Sequence, residues 1–518
     1  MNRQIVNPVR NSKEGKNMAR KAKISNGVNV PQPKPQMRSW ILLLCLIAAA
    51  SLTCRKAVGG SGAAPNLQQE KWRAGVASAV ITPEQSMWMA GYASRTKPSE
   101  GKVHDLRAKV LALEDGRGTR FVIVTVELIG IPRPLRDWLE RQVYRHHKLP
   151  PESLLLNASH THCGPVIRES KYSIYGNSFY GLSPEQIRRS EQYVEALQEK
   201  LLQLIGQAIE KLAPSLLSYS HARAGFAMNR RLETEQGYRI RPNPDGPVDH
   251  DVPVLRVDSP DGKLRAVLFG YACHNTTLSF YKFCGDYAGF AQQYIEEAHP
   301  GTTALFVAGC GGDQNPYPRG GERSLEYCQH HGRALANAVE AALLWQARPI
   351  RGPVRALLET VTLDFAEPPS RRQLQQQAES DDKYERRHAQ VLLEELEQTG
   401  KIRTTYPYLV QVVQFGNDMT MVALAGEVVV DYPLRLKAEL AGPPKAGMIG
   451  AGAAGPPVWV AGYSNDVFGY VPSLRILQEG GGAMRYTNLP GPWATSVEKR
   501  IVEKVHKLVN KARAPKSN

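Results

Sequence analysis

Two histidines that lie two positions apart are the first residues in the sequence that suggest chemistry. His160 and His162 belong to the segment Ser-His-Thr-His-Cys-Gly-Pro, just after the apolar residues Leu154–Leu156, which predict the end of a strand. Alternate residues of an extended chain face the same way, so both imidazoles can point into one cleft. Neutral imidazoles there can both bind zinc, or one can bind zinc while the other transfers protons. The spacing alone also fits a pair that binds no metal.

Three more polar residues follow apolar segments. His274 comes after the apolar run 264–272. Glu427 follows the alternating run 419–424, and Tyr470 lies in a glycine-containing loop. A single histidine at the end of a strand also fits a hydrogen-bonded core residue. However, α/β proteins build their sites in the loops that follow strand ends. The sequence thus offers three histidines, one glutamate and one tyrosine where such a protein would have its site.

The elements that must position these residues are strands and helices interspersed along the chain. The β-branched runs 76–81 and 121–126 predict buried strands, and apolar residues at helical spacing over 194–212 predict a core-facing helix. The charged segment 368–400 predicts a solvent-facing helix, and 442–457 predicts a loop. Similar patterns predict strands at 252–257, 264–272 and 303–307, and helices at 325–344 and 497–509. We therefore predict an α/β fold, with a layered mixed sheet in a single large domain over residues 71–512.

Most of the positive charge lies in the N-terminal tail. The 518-residue chain has a net charge of +16, and residues 1–58 supply +10 of it, with 11 Lys or Arg and a single acidic residue. The remainder is only mildly basic and has no long basic run with interleaved aromatic residues, so we expect no nucleic-acid partner. Seven cysteines without a C-x-x-C pair argue against a disulfide scaffold and against a cysteine-rich zinc site.

An apolar run in the same tail predicts export. Trp40–Ala50 follows Arg38 and is shorter than the ~20 residues that span a membrane, so it fits a secretory signal. Cys54 follows a loose lipobox and is a candidate for lipid attachment, with simple cleavage nearby as the alternative. Residues 59–70 are rich in Gly and small residues and predict a flexible linker. Both alternatives predict an exported protein that is periplasmic, secreted or lipid-anchored to the cell envelope.

A set of short motifs resembles the neutral/alkaline (non-lysosomal) ceramidase family in wording and in order. The resemblance covers most of residues 72–510 and concerns the N-terminal catalytic domain of that family. We expect no counterpart of the family's C-terminal immunoglobulin-like domain. The motifs are Ile81-Thr82-Pro83, residues 89–93 (MAGYA), residues 104–108 (HDLRA), residues 159–165 (SHTHCGP), Asn229-Arg230, the strand before His274, Gly312-Asp313, Ala425-Gly426-Glu427 and residues 465–470.

The resemblance implies a single zinc ion and a role for each of several residues. In the family, two histidines, a glutamate and a tyrosine hold the zinc. Carried over to this sequence, the metal ligands are His160, His274, Glu427 and Tyr470. The resemblance further implies that His162 is an acid/base residue and that Arg230 binds the substrate or an oxyanion.

One departure from the family pattern affects the mechanism. Family members have Gly-Asp-Val-Ser-Pro, with an active-site serine, whereas this chain has Gly-Asp-Gln-Asn-Pro over 312–316, so Asn315 takes the place of the serine. An amide is no nucleophile, which excludes an acyl-serine intermediate. A water activated by zinc remains available, and Asn315 can hold that water or the substrate carbonyl by hydrogen bonds.

We therefore predict a zinc-dependent hydrolase of an amide (N-acyl) bond that is ceramidase-like and uses metal-bound water. Two alternatives stay open. The first is a hydrolase of another bond, such as an ester in an envelope lipid or polymer. The second is a non-catalytic protein of the same fold that binds a lipid or glycan. The expected partner is a small-molecule or lipid substrate, with contact to a membrane surface as a further expectation.

Overall fold

The computed structural model describes residues 72–92, 94–167, 182–441, 455–481 and 491–514, apart from the side chains of Lys383 and Tyr384. The predicted tail, signal and linker lie outside the described residues, as does most of the predicted loop 442–457. Every described residue belongs to one compact unit, Gln68–Asn518. No helix of the described ranges has the length and apolar character needed to cross a membrane.

Strands and helices are interspersed from one end of this unit to the other. The strands are β1 (Trp72–Val80), β2 (Arg107–Glu114), β3 (Arg120–Val126), β4 (Leu154–Ala158), β5 (Ala213–Arg223), β6 (Ala227–Leu232), β7 (Arg239–Asn243), β8 (Asp251–Asp258), β9 (Leu264–Tyr271), β10 (Thr303–Ala308), β11 (Gln314–Pro316), β12 (Arg348–Ile350), β13 (Val354–Asp364), β14 (Thr405–Phe415), β15 (Met419–Leu424), β16 (Glu427–Val428), β17 (Val458–Ala461) and β18 (Tyr470–Val471). The helices are α1 (Arg133–His147), α2 (Pro184–Glu210), α3 (Asp286–Ala298), α4 (Ser324–Leu344), α5 (Arg371–Gln377), α6 (Lys383–Thr399), α7 (Asp431–Ala441), α8 (Leu474–Glu479) and α9 (Val497–Arg513).

Two large mixed sheets form the centre of the fold. The nine-stranded sheet has the order β10-β9-β8-β5-β1-β2-β3-β4, and β12 pairs with β5 outside this path. The pairs β3/β4 and β9/β10 are parallel, and the other neighbours in this sheet are antiparallel. The four-stranded sheet has the order β13-β14-β15-β17, and only its pair β15/β17 is parallel. Two small sheets, β11-β6-β7 and β16-β18, complete the set that the described residues form.

The two large sheets pack against each other, and this explains why their strands are apolar on both faces. In β3, Phe121 and Ile123 belong to a buried cluster that also contains Met421 of β15 and Trp459 of β17. Val122 lies on the opposite face of β3, in a cluster shared with the helices α1 to α4. Successive strand residues point to opposite faces, so a strand between two layers needs apolar residues at every position.

Helices cover the two outer faces. The helices α1 to α4 pack on the outer face of the nine-stranded sheet, and α7 and α9 pack on the outer face of the four-stranded sheet. The sequence marks the start of α2 with a capping box, in which Ser183 Oγ accepts from the Gln186 backbone N–H and the Gln186 side chain accepts from the Ser183 N–H. The layers are therefore helix, sheet, sheet and helix.

The predicted α/β class with a layered mixed sheet is confirmed, while the predicted domain bounds stay a prediction. The predicted strands and helices named above coincide with β1, β3, β8, β9, β10, α2, α4 and α9. The prediction of one solvent-facing helix over 368–400 is wrong. That segment forms two helices, α5 and α6, whose residues Leu374, Ala389 and Leu392 bury a small apolar cluster of their own together with Ile402.

Candidate active site

Five strands end at one place, and the loops that follow them carry the polar residues of the site. The strands are β4, β9 and β10 of the nine-stranded sheet and β15 and β17 of the four-stranded sheet. Their loops bring together the side chains of His160, His162, His274, Glu427 and Tyr470. The site therefore lies where the edges of the two large sheets meet, a position that open α/β sheets commonly use for ligands.

The two histidines of the Ser-His-Thr-His segment do come together, but strand alternation does not cause it. Strand β4 ends at Ala158, and His160 has a left-handed backbone with φ of +63°. His162 then lies in a turn, and its backbone N–H donates to the Asn275 carbonyl over 3.3 Å. The two imidazoles meet with their Nε2 atoms 3.1 Å apart. Their proximity results from the turn. The predicted pair is therefore correct, but the extended backbone from which it was predicted is not present.

Backbone carbonyls fix the orientation of two imidazole rings. His160 Nδ1 donates to the Ile129 carbonyl over 2.6 Å, and His274 Nδ1 donates to the Gly311 carbonyl over 2.5 Å. Each ring therefore carries its proton on Nδ1 and leaves the lone pair of Nε2 free. Both Nε2 atoms lie 3.3 Å from Oε2 of Glu427. Such hydrogen bonds from the second nitrogen are typical of histidines that bind a metal.

The surroundings favour the protonation states that metal binding requires. Burial and the nearby charge of Arg230 lower the pKa of His274 to about 3, so its imidazole is neutral. Burial alone would raise the pKa of Glu427, but the charge of a protonated His160 or His274 outweighs burial and holds that pKa well below its usual range, so a proton taken up by the cluster goes to an imidazole and the carboxylate stays ionised. A neutral imidazole and an ionised carboxylate are the forms that coordinate a metal ion.

Tyr470 is held next to Glu427 by backbone pairing. Strands β16 and β18 are parallel, with Glu427 opposite Tyr470. The hydroxyl of Tyr470 accepts a hydrogen bond of 3.0 Å from Nη2 of Arg230. Burial raises the pKa of Tyr470 to about 12, while the charge of Arg230 acts in the opposite direction.

Asn315 is completely buried and lies beside Arg230. The strands β6 and β11, which carry these two residues, are neighbours in the small sheet. Nη1 of Arg230 donates to Oδ1 of Asn315 over 3.3 Å, and the hydroxyl of Thr276 donates to the same oxygen over 3.4 Å. The structure thus places both sequence-predicted residues, Arg230 and Asn315, against the residues around Glu427 and Tyr470.

His162 is half-buried and lies in a tight socket. Its ring packs on the ring of Tyr92, with 4.8 Å between the centroids. Gly91 lies against the same ring, because a Cβ atom on Gly91 would be only 2.4 Å from the Cγ and Nδ1 atoms of His162. The φ angle of Gly91 is +97°, which also favours glycine. The position of His162 thus depends on the absence of a side chain at residue 91.

Three residues that support the site were missed by the sequence reasoning. The side-chain amide of Asn157 donates to the Gly462 carbonyl over 2.8 Å, and its carbonyl accepts from the N–H of Ala308 over 2.8 Å, so it joins three of the strand ends. Asn275 donates to the Ser159 carbonyl and thereby links the His160 and His274 loops. Tyr463 packs on the His160 ring at 4.4 Å between centroids. No local pattern marks these residues, since their partners lie far away in the sequence.

The donor set fits a metal ion. Nε2 of His274 and Oε2 of Glu427 are buried without a hydrogen-bond partner among the described residues, which is costly unless a further group satisfies them. Ligand atoms of His160, His162 and His274 all lie within 4.8 Å of one another. Imidazole nitrogen and carboxylate oxygen are ligands that zinc prefers. The residues that would hold the ion are His160, His274, Glu427 and Tyr470.

Comparison with known proteins gives a family match and similar solved structures. Residues 72–342, more than half of the chain, match the family model for the neutral/alkaline non-lysosomal ceramidase, N-terminal. The fold is similar to that of the neutral ceramidase from Pseudomonas aeruginosa, with 19% identity, a TM-score of 0.65, and coverage of 87% of this chain and 76% of that one. It is also similar to a ceramidase complexed with C2, with 17% identity, a TM-score of 0.65, and coverage of 87% and 77%.

These structural similarities show the fold, and the family match shows the protein family. A direct sequence comparison with curated proteins gives no match. Ceramidases are hydrolases that act on the amide bond of ceramide. The chain belongs to the neutral/alkaline non-lysosomal ceramidase family.

Proposed function

We propose that the protein is a zinc-dependent hydrolase that cleaves an N-acyl (amide) bond. The observation that carries this proposal is the convergence of Nε2 of His160, Nε2 of His274 and Oε2 of Glu427, with the last two atoms buried and unpartnered in the described part of the chain. Together with Tyr470 they form the proposed set of four ligands. When bound, zinc supplies a Lewis acid that polarises a carbonyl and lowers the pKa of a water molecule to about 7.

Arg230 and Asn315 are proposed to hold the scissile carbonyl. Arg230 is almost completely buried and keeps its guanidinium in place by donating to the Gly312 carbonyl over 2.6 Å and to the Tyr470 hydroxyl over 3.0 Å. A fixed cation stabilises the negative charge that develops on the carbonyl oxygen during attack at the acyl carbon. Asn315 lies on the adjacent strand and adds a neutral hydrogen-bonding group at the same place.

His162 is proposed to move protons. Its Nε2 atom faces the imidazole of His160 at 3.1 Å, and its Nδ1 atom has no partner among the described residues. The ring is half-buried, so it can reach both the buried cluster and a bound substrate. In amide hydrolysis it would take a proton from the attacking water and give one to the leaving nitrogen. Such transfer contributes roughly 10²–10⁴-fold to the rate.

The position of Asn315 argues for direct attack by water without a covalent enzyme intermediate. Its side-chain carbonyl is engaged by Arg230 and Thr276, and its amide nitrogen lies 3.4 Å from the Tyr317 hydroxyl. An amide cannot act as a nucleophile, so the residue orients groups and does not become acylated.

Metal analysis combined with a substrate panel tests this function. Full-length protein purified without a histidine tag should contain close to one equivalent of zinc and should cleave N-acyl amides. Glu427→Ala should lose both the metal and the activity. His330→Ala, which changes an exposed histidine of α4, should keep both. A folded protein that contains no metal would contradict the proposal. Cleavage of matched esters alone would favour the ester alternative, and binding of lipid or glycan without turnover would favour the non-catalytic one.

We also propose that the protein is exported and acts on a small-molecule or lipid substrate, with contact to a membrane surface. The support comes from the apolar run Trp40–Ala50 in the sequence and from the family. The intact mass of the exported protein should show a mature N-terminus between about residues 54 and 60, by the small-residue cleavage rule. An added diacylglyceryl group on Cys54 would identify a lipoprotein. An unprocessed chain in the cytoplasm would contradict export.

A further inference from the structure

Three arginines around the candidate site have no carboxylate partner among the described residues. Arg95, Arg230 and Arg319 form no ion pair with any carboxylate of the described ranges, although most other buried or half-buried arginines of this chain do. Arg95 is buried, and its guanidinium lies over the Tyr92 ring at 4.9 Å from the centroid. Arg230 is engaged by the Gly312 carbonyl and by Tyr470. Buried charges are normally paired, so an unpaired set beside a site points to a charged ligand.

Arg319 is the arginine of this set that remains open to a ligand. It is half-buried, its Nε donates to the Thr276 carbonyl over 2.9 Å, and its Nη2 donates to the Tyr92 hydroxyl over 3.3 Å. Its Nη1 atom donates to no described group. Arginine offers five N–H donors in a planar fork, so this arrangement leaves a face of the guanidinium available.

Arg319 contacts two residues, Tyr92 and Thr276, that in turn contact proposed catalytic groups. Tyr92, which it contacts, packs on the ring of His162. Thr276, which it also contacts, donates to Asn315. A single residue therefore separates the guanidinium from Asn315 on one side and from His162 on the other, and Tyr92 and Thr276 hold it there.

Two buried carboxylates near the site, Glu427 and Asp286, form no ion pair with this arginine. Glu427 faces the imidazoles of His160 and His274. Asp286 is completely buried, and its carboxylate accepts backbone N–H groups within 3.3 Å, from Thr277, Leu278 and Tyr287. Neither carboxylate contacts Arg319. Against their two negative charges stand the three arginines and, in the proposed site, a zinc ion, so the surroundings of Arg319 attract an anion.

From this arrangement, and on the basis of the proposed function, we propose that the substrate is an N-acyl amine with an anionic group close to the scissile amide, and that Arg319 binds that group. In an N-acyl amino acid the carboxylate carbon is three bonds from the amide carbonyl carbon, roughly 3–4 Å away by standard bond lengths. Such a short link suits the site, because a single residue, Thr276, lies between Arg319 and Asn315. Arginine binds carboxylate, phosphate and sulfonate through the same fork of donors.

Matched amides test the proposal in the full-length protein. N-dodecanoylglycine and N-dodecanoylethanolamine have similar size and the same acyl chain, and they differ in the charge on the amine side. We expect kcat/KM of the wild-type protein to be at least about tenfold higher for the glycine compound. In Arg319→Gln the ratio of the two kcat/KM values should fall about 10- to 100-fold, as expected for the loss of a hydrogen bond between charged groups. Arg319→Lys should retain part of the preference because it keeps the charge.

Arg323→Gln is the matched control, because Arg323 is exposed, lies four residues away and pairs with Glu326. It removes the same charge from the chain and should leave the ratio unchanged. N-dodecanoyltaurine as a third substrate shows whether a sulfonate is accepted as well as a carboxylate. Equal rates for the charged and the neutral amide in the wild-type protein would overturn the proposal, and so would an unchanged ratio in a folded Arg319→Gln variant.

A failure of the proposed function can be told apart from a failure of this inference. If the wild-type protein hydrolyses neither amide, the proposed function is wrong. Direct binding of the two amides, measured by calorimetry on the same protein, then decides the anion preference. Tighter binding of the glycine compound that is lost in Arg319→Gln would support the inference, and equal binding would refute it.

Discussion

Replacing Gly91 by alanine probes the position of His162 without touching any proposed catalytic residue. The new Cβ atom would lie 2.4 Å from the Cγ and Nδ1 atoms of His162 and 2.8 Å from its Cβ atom. Carbon atoms in contact are normally about 3.5–4.0 Å apart. The imidazole must therefore move by an ångström or more, or the segment that carries Gly91 must move away from it.

The expected effects on stability and on rate differ in origin. The φ angle of +97° costs a residue with a side chain roughly 1–2 kcal/mol, and the overpacking adds about 1–3 kcal/mol. We therefore expect a loss of about 2–5 kcal/mol in the free energy of unfolding. A displacement of about 1 Å at a catalytic group can cost ~10²-fold in rate. We expect kcat on an N-acyl amide to fall about 100-fold, with the zinc content unchanged.

A double-mutant cycle and a glycine control make the test decisive. Once His162→Ala has removed the imidazole, Gly91→Ala should lower kcat little further, because the displaced group is already gone. Part of the destabilisation should remain, since a Cβ atom is still present at residue 162. Gly118→Ala is the control, because it introduces backbone strain without a steric clash. Gly118 has a φ of +79°, and a Cβ atom added there would meet no other atom within 4 Å. If the two rate effects multiply in the double variant, or if Gly118→Ala lowers kcat as much, the proposed role of the socket is refuted.

Three further predictions follow from the site and its surroundings. Glu427→Gln should leave a folded protein whose zinc content, measured by elemental analysis, falls to near zero; stoichiometric metal in that variant would remove Glu427 from the ligand set. Asn315→Ala should lower kcat about tenfold, because it removes a hydrogen bond and no nucleophile, and Asn315→Ser should not raise it. Mass spectrometry should find no acyl-enzyme, and a trapped one would refute direct attack by water. Burial alone would raise the pKa of Asp251, but the hydrogen bond from His221 and the charge of Lys437 lower it from 3.8 to about 2. The ionised carboxylate therefore stabilises the fold by about 2 kcal/mol above pH 4. This stabilisation is lost as the pH falls towards 2. In denaturant titrations Asp251→Asn should cost about that amount at pH 7 and almost nothing near pH 2; an equal cost at both pH values would contradict the linkage.

The class of fold could be predicted from the sequence, but the stacking of the two sheets could not. Apolar runs such as 121–126 indicate a strand that is buried on both faces. They do not tell whether the second face meets helices or another sheet, because the same residues serve both partners. In the structure, Ile123 faces the second sheet and Val122 faces the helices. The segment 368–400 misled the prediction because its few apolar residues, such as Leu374 and Leu392, were outweighed by charged neighbours.

The polar residues at the centre of the site could be predicted from the sequence, but the residues that hold them in place could not. The three histidines and Glu427 are visible as polar residues after apolar runs, and Tyr470 is visible in a glycine-containing loop. The resemblance to the ceramidase family added the role of each residue. Their roles stay predictions, although the structure brings all five side chains together. Supports such as Asn157 could not be found in this way. An asparagine at the end of a strand is unremarkable until its partners are known, and one of those partners, Gly462, lies 305 positions away.

The spread of the proposed ligands along the chain has a consequence for the order of folding. Contacts between segments that are far apart in sequence form slowly, because a large loop must close before they are made. Tyr470 reaches Glu427 only when β18 has paired with β16, and Glu427 reaches His160 only when the two large sheets have met. Metal capture at the full set of ligands is thus among the last events of folding. The rate at which refolding protein takes up zinc would time the final docking of one sheet on the other.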